Sequence, residues 1–187
     1  MSQLITYGFF GEDIAQRTFL AYYLEQIQPS TFLENEEFRW RVKVQNRDQV
    51  DARLPEALLQ KAKFGLDVLF VGRDIDTAHH PTILDRREQF ASICQNHHPV
   101  VLMLPVQCIE HWFWYIKRKH EEPGKRSLLE PLLRNDAKQA IYGDIKSGEK
   151  RIEKIKELLT DFDVDWLEQR SESFRHFHHQ VKALIGQ

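Results

Sequence analysis

Apolar residues recur along this chain in two rhythms. Short runs of strand type alternate with longer stretches of helical spacing through the N-terminal two-thirds, the signature of an α/β unit with a mainly parallel sheet. Leu4 to Phe10 reads as the first strand. After Gly11, residues Phe19, Leu20, Tyr23, Leu24 and Ile27 recur at helical spacing and stop before Pro29, which predicts a helix from about Asp13 to Gln28. Phe38 to Gln45 alternates bulky apolar residues with Arg39, Arg41 and Lys43 and reads as a half-exposed edge strand. Leu54 to Phe64 reads as a helix. The continuous run Asp67 to Gly72 is the pattern of a buried central strand, opening into the polar loop Arg73-Asp74-Ile75-Asp76.

Pro81 suits the first turn of a helix ending near Cys94. Val100 to Leu104, between Pro99 and Pro105, is the fourth predicted strand, and Ile109, Trp112, Phe113 and Ile116 mark the apolar face of a following helix. His120 to Arg126, with Pro123 and Gly124, reads as a loop that separates an α/β core (1–120) from a helical extension (121–187). In that extension Ile152, Ile155, Leu158 and Leu159 predict one amphipathic helix, and Phe174, Phe177, Val181 and Leu184 another, starting after Ser173. So few residues bury little by themselves, so both faces are expected to cap the core. The expected fold is thus α/β: a mainly parallel four-stranded, Rossmann-like sheet flanked by helices, with a C-terminal helical cap.

The composition agrees with a packed globular protein: 187 residues, 42% hydrophobic and 29% charged. A formal charge of −2 rules against the broad basic field of an indiscriminate nucleic-acid binder, so any polyanion must be handled locally. The one dense basic run, Lys117-Arg118-Lys119, is expected to close a helix and stay solvated. Cys94 and Cys108 lack metal-knuckle spacing and read as buried, reduced thiols. The longest apolar run is far too short to span a bilayer, so a cytoplasmic protein without membrane contact is expected.

Glu12 follows the first predicted strand, Asp74 and Asp76 the third, and Glu110 lies just past the fourth. Strands of an open parallel sheet share one carboxyl edge, where ligands bind, so four carboxylates distant in sequence are expected to converge. In an extended segment Asp74 and Asp76 point the same way and can face one ion. Mg²⁺ or Mn²⁺ prefers such oxygens and leaves room for a phosphate. The same spacing also fits a plainer reading: a solvated turn, with Glu12 and Asp13 at a helix N-terminus.

Together, Glu12 through Leu20 and Phe70-Val71-Gly72-Arg73-Asp74-Ile75-Asp76 resemble the TOPRIM domain, which carries a glutamate after its first strand and an Asp-x-Asp after its third. Leu104 to Trp112 and Ser171 to Arg175 are similar to segments of small stand-alone TOPRIM-like proteins of bacterial defence loci. The resemblance implies that Glu12 is an acid/base or metal ligand, that Asp74 and Asp76 bind Mg²⁺, and that Glu110 is a further acidic ligand. It implies a Mg²⁺- or Mn²⁺-dependent nuclease acting on RNA or DNA, an effector in anti-phage defence. An ATPase sensor protein and a second copy of the chain are its candidate partners. Two positions depart from the family pattern: Asp13 stands where glycine is usual, and Gly72-Arg73 replaces the usual acidic residue. These departures motivate the alternative, a non-catalytic interaction subunit of an ATPase-containing defence complex. A receiver-like phosphate-binding domain is a third, weaker reading.

Lys138 and Arg175 are candidate cations for a developing phosphoryl charge. His79-His80 and the group His176, His178, His179 are expected to be solvent-exposed, since the latter has no acidic or cysteine partner nearby in sequence. In Trp112-Phe113-Trp114-Tyr115, the first two are expected in the core, and Trp114 or Tyr115 is the candidate for an exposed stacking surface.

Overall fold

The computed structural model describes residues 4–160 and 162–186. Strand and helix alternate as β1 (Ile5–Gly11), α1 (Ile14–Ile27), β2 (Phe32–Glu34), α2 (Glu36–Arg41), α3 (Arg47–Lys63), β3 (Val68–Gly72), α4 (His80–Cys94), β4 (Val100–Met103) and α5 (Glu110–Glu121). The helices α6 (Arg134–Tyr142), α7 (Gly148–Leu159), α8 (Val164–Arg170) and α9 (Glu172–Leu184) follow. All four strands are parallel, in the order β2-β1-β3-β4. The fold is the expected α/β sheet flanked by helices with a C-terminal helical region. No helix among the described residues is long and apolar enough to cross a membrane.

The alternation of side chains along each strand divides the core in two. Tyr7, Phe9, Val68, Phe70, Val101 and Met103 face one side, where they pack with Phe19 and Tyr23 of α1 and Trp112 of α5. Ile155 and Leu159 of α7 and Phe174, Phe177 and Val181 of α9 complete that same cluster, so the C-terminal helices share the core of the sheet. Phe10, Leu69, Val71 and Leu102 face the other side, against Phe38, Val50, Leu54 and Leu58 of α2 and α3 and Ile83 and Phe90 of α4. Gln180 of α9 closes the β4 edge: its Oε1 accepts from Leu102 N–H at 2.9 Å and its Nε2 donates to Leu102 C=O at 3.0 Å. The amide stands in for a missing neighbour strand on an edge that would otherwise present unpaired backbone groups.

One strand lies elsewhere than expected. Phe38 to Gln45 is not a strand; residues 36–41 form α2, capped by Asn35, whose side chain accepts from Phe38 N–H at 2.8 Å. Phe38 and Val42 are both buried, four residues apart on one side of that segment, while Trp40 is 61% exposed. Apparent period-2 alternation was a coincidence of a short helix whose cap and acidic first turn, Asn35-Glu36-Glu37, are the better signal. The second strand is instead Phe32–Glu34, only three residues long. The helix expected from Leu54 begins earlier, at Arg47, with Asn46 accepting from Gln49 N–H at 3.0 Å. Helices α6 and α8 were not expected.

Candidate functional site

The strand order reverses between β1 and β3, so their chain continuations diverge and a crevice opens beyond their carboxyl ends. Each flank ends in a glycine. A Cβ on Gly11 would stand 2.6 Å from Phe9 Cζ, and one on Gly72 would stand 2.5 Å from Gln16 Oε1 and 2.7 Å from Phe9 Cζ. The bare backbone at Gly72 lets Gln16, on the first turn of α1, lie across the end of β3.

Asp74 is 1% exposed. Its Oδ1 accepts from Gln16 Nε2 at 2.7 Å and from Ile109 N–H at 3.2 Å, and Arg134 Nη2 of α6 stands 3.5 Å from Oδ2. Burial holds its pKa well above the usual carboxylate range, reinforced by the nearby charges of Glu110 and Asp13. Glu110 opens α5 at 3% exposure; its Oε1 lies 3.9 Å from Lys138 Nζ, and its buried Oε2 has no hydrogen-bond partner. Asp13 caps α1, its Oδ1 accepting from Ala15 N–H at 2.7 Å, and burial raises its pKa, with Glu110 adding to the rise. Glu12 is half-buried, and its pKa is raised by burial and by Asp13, against the lowering influence of Arg73 and Arg134.

Asp76 departs from the extended geometry on which the Asp-x-Asp reasoning rested. Its φ is +61°, and its carboxylate is ion-paired to Arg73 at 2.9 Å, Arg47 at 3.1 Å and Arg134. Asp74 and Asp76 do face one cation together, but that cation is the Arg134 guanidinium, which contacts both. Arg73 is buried and also grips Asp51 of α3 through Nε and Nη2, each at 3.1 Å, fastening the loop to the sheet face below. Among the described residues, no three His, Cys, Asp or Glu side chains are grouped as an ion's ligands.

The crevice thus gathers Glu12, Asp13, Asp74, Asp76, Glu110 and Lys138, with Arg47, Arg73 and Arg134 interleaved. Gln16 and Arg134 were not singled out by sequence reasoning. Asp13 was read at a helix N-terminus, where it does cap α1, but not as a member of the acidic group, and Arg134 sits on a helix whose few apolar positions gave no clear period.

Other expectations are corrected. Arg175 does not reach this crevice; its Nε donates to Glu168 C=O at 3.2 Å, and it lines a separate cavity with His80 and Arg170. His178 is buried rather than exposed, its Nδ1 2.6 Å from Tyr23 Oη and its ring stacked on Phe174. The acidic partner missing from the local sequence is Glu168 of α8, 2.8 Å from His179 Nε2. Tyr115 is buried and its hydroxyl accepts from Leu129 N–H at 2.7 Å, whereas Trp114 is half-buried under Arg118. The run at 117–119 closes α5 but does not stay free: Lys117 donates to Ala140 C=O at 2.7 Å, buried Arg118 to Ser127 C=O at 2.8 Å, and Lys119 pairs with Asp163. Cys94 and Cys108 are free and buried as expected, and burial pushes the Cys94 thiol up to about 11.

Compared with protein-family models, with curated proteins and with solved structures, the chain matches none.

Proposed function

We propose that this crevice is the active site of a TOPRIM-like, divalent-metal-dependent nuclease that hydrolyses phosphodiester bonds of RNA or DNA. The observation that carries the reading is the unpartnered, buried Oε2 of Glu110 beside the fully buried Asp74, with Asp13 in electrostatic reach of both. Two buried carboxylates whose nearest cations, Lys138 at 3.9 Å and Arg134 at 3.5 Å, stand beyond close ion-pair contact are costly to keep charged, and an all-oxygen donor set suits Mg²⁺ or Mn²⁺. Asp74 and Glu110 would hold the ion, with Asp13 beside them. Such an ion neutralises phosphate charge and acidifies a bound water.

The chain's own residues do the rest. Glu12, on the open side of the crevice with its pKa displaced upward, would hold and deprotonate the attacking water. Arg134 and Lys138 project from α6 toward the same edge and offer donors to a phosphoryl oxygen as its charge grows. Asp76 positions Arg47, Arg73 and Arg134. The effector role in bacterial defence and an ATPase sensor as partner belong to the same proposal, on the strength of the sequence resemblance.

A second reading, a non-catalytic interaction subunit, is favoured by one observation: Arg134 already bridges Asp74 and Asp76 as an internal cation. Cleavage of labelled tRNA, single-stranded DNA and duplex DNA with Mg²⁺ or Mn²⁺ separates the two. Cutting by the wild type that is lost in Asp74→Asn supports the nuclease. Absence of cutting together with absence of metal binding by calorimetry supports the interaction subunit.

A further inference from the structure

Beside the carboxylate crevice, Phe9, Gly11, Glu12 and Asp13 form one end of a groove of about 380 Å³. Its other wall is the end of α2 and the turn after it, with Arg39, Trp40 and Lys43. The volume lies in the range of sites that seat one small ligand unit. Trp40 is 61% exposed, an unusual state for so large an apolar ring, and it belongs to neither core cluster. Two cations attend the ring: Lys43 Nζ lies 4.1 Å from its centroid and the Arg39 guanidinium 5.4 Å. Arg17, also in the groove, is committed to Glu34 through two contacts of 2.7 Å. Arg39 and Lys43, by contrast, have no carboxylate partner among the described residues.

The local charge contrasts with that of the whole molecule. Arg39 to Arg53 carries five cations, Arg39, Arg41, Lys43, Arg47 and Arg53, against the two carboxylates Asp48 and Asp51, in a chain of net charge −2. Arg41, Arg47 and Arg53 are paired with Glu37, Asp76 and Glu56, which leaves Arg39 and Lys43 beside the indole as the cations open to a phosphate. An exposed indole flanked by unpaired cations is the arrangement that holds unpaired bases by stacking while the charges follow the backbone. A duplex keeps its base faces within its own stack and offers them only at its ends.

We propose that this groove seats a single-stranded nucleic acid, with a base stacked on Trp40 and the adjoining phosphates on Arg39 and Lys43, so that the strand leads toward Glu12. The inference rests on the nuclease reading for what happens at the end of the groove, but not for the binding itself.

The test is fluorescence anisotropy of a short labelled oligothymidylate, an oligouridylate and a duplex of equal length, in EDTA so that cutting does not enter. Wild type is expected to bind both single strands more tightly than the duplex, with affinity that falls as salt rises. Trp40→Ala is expected to weaken single-strand binding roughly tenfold or more, with Trp40→Phe retaining most of it. The double variant Arg39→Ala/Lys43→Ala is expected to flatten the salt dependence. Because Trp40 is exposed, its variants should melt with wild type. Single-strand binding unchanged in Trp40→Ala, or duplex bound as tightly as single strand, would overturn the proposal even if the protein cuts nucleic acid. Trp40-dependent binding without any cutting would sustain it while the nuclease reading fell.

Discussion

Gln16 Nε2 donates to Asp74 Oδ1 at 2.7 Å, joining the first turn of α1 to the loop after β3 across the bare backbone of Gly72. The bond spans 58 residues of sequence, and it fixes one oxygen of the most deeply buried carboxylate of the crevice. Its other side, Gln16 Oε1, is buried without a partner.

Gly72→Ala is therefore expected to act on site and stability together. The new methyl would meet Gln16 Oε1 and the Phe9 ring at separations that real contacts do not reach, so Gln16 must leave Asp74 or the strands must part. Overpacking of this kind costs about 1–3 kcal/mol. A urea melt should show the loss, and any nuclease activity should fall more than stability alone accounts for. A variant with wild-type melting and activity would show that the close approach is not needed.

Glu110→Gln is expected to stabilise the protein near neutral pH while abolishing metal-dependent activity. It removes one of the buried charges that raise the Asp74 pKa, and its amide gives the unpartnered position a donor. A carboxyl whose folded pKa is raised contributes stability below its unfolded value and loses it as pH rises through the folded value. Relief of that penalty is therefore largest at neutral pH and vanishes in acid. A gain of about 1 kcal/mol would lift Tm by about 2–4 °C in a chain of this size. A lower Tm would mean that Glu110 is held by a counter-charge stronger than Lys138 at 3.9 Å.

Tyr23 and His178 set a pH response of opposite sense. Burial lowers the His178 pKa, with the Lys182 charge acting the same way, and burial lowers those of His111 and His176 as well. A histidine buried neutral contributes stability that is full above its unfolded pKa of about 6.5 and lost as pH falls through the folded value. The histidine contribution to stability should therefore decline below about pH 6.5. Tyr23→Phe removes the hydroxyl 2.6 Å from His178 Nδ1 and leaves both ring nitrogens without a hydrogen bond, since Nε2 has only the Glu168 carboxylate at 3.9 Å. The expected cost is about 1–2 kcal/mol at neutral pH, read from denaturant melts. Because the raised carboxyls of the crevice act in the opposite sense, the profile is compared with that of a His178→Phe variant, and an equal decline between neutral pH and about pH 5 in both would remove His178 from this account.

Much of this architecture follows from local sequence. The runs at Leu4–Phe10, Asp67–Gly72 and Val100–Leu104 are largely apolar on both faces and too short for a helix, the pattern of a strand covered by helices on both sides. The positions of Glu12, Asp74 and Glu110 just past strands followed from the same runs, because parallel strands share one carboxyl edge whatever their order. Where local signals conflicted, sequence misled: Phe38, Trp40 and Val42 alternate like a strand, but the Asn35 cap and burial of Phe38 and Val42 together made a helix turn.

What the chain could not declare locally is what the strand order decided. Pairing β1 with β3 put the reversal between them and so brought Asp13 and Gln16 of one connection against Asp74 of another. The placement of α6 brought Arg134 onto Asp74 and Asp76 and Lys138 near Glu110, and α8 supplied Glu168 to His179. These contacts join residues from eleven to sixty positions apart, and their energies depend on distance and burial, neither of which is a property of neighbours in sequence. Residue type sets which groups can carry charge. Only the fold decides which charges must share one partly buried site.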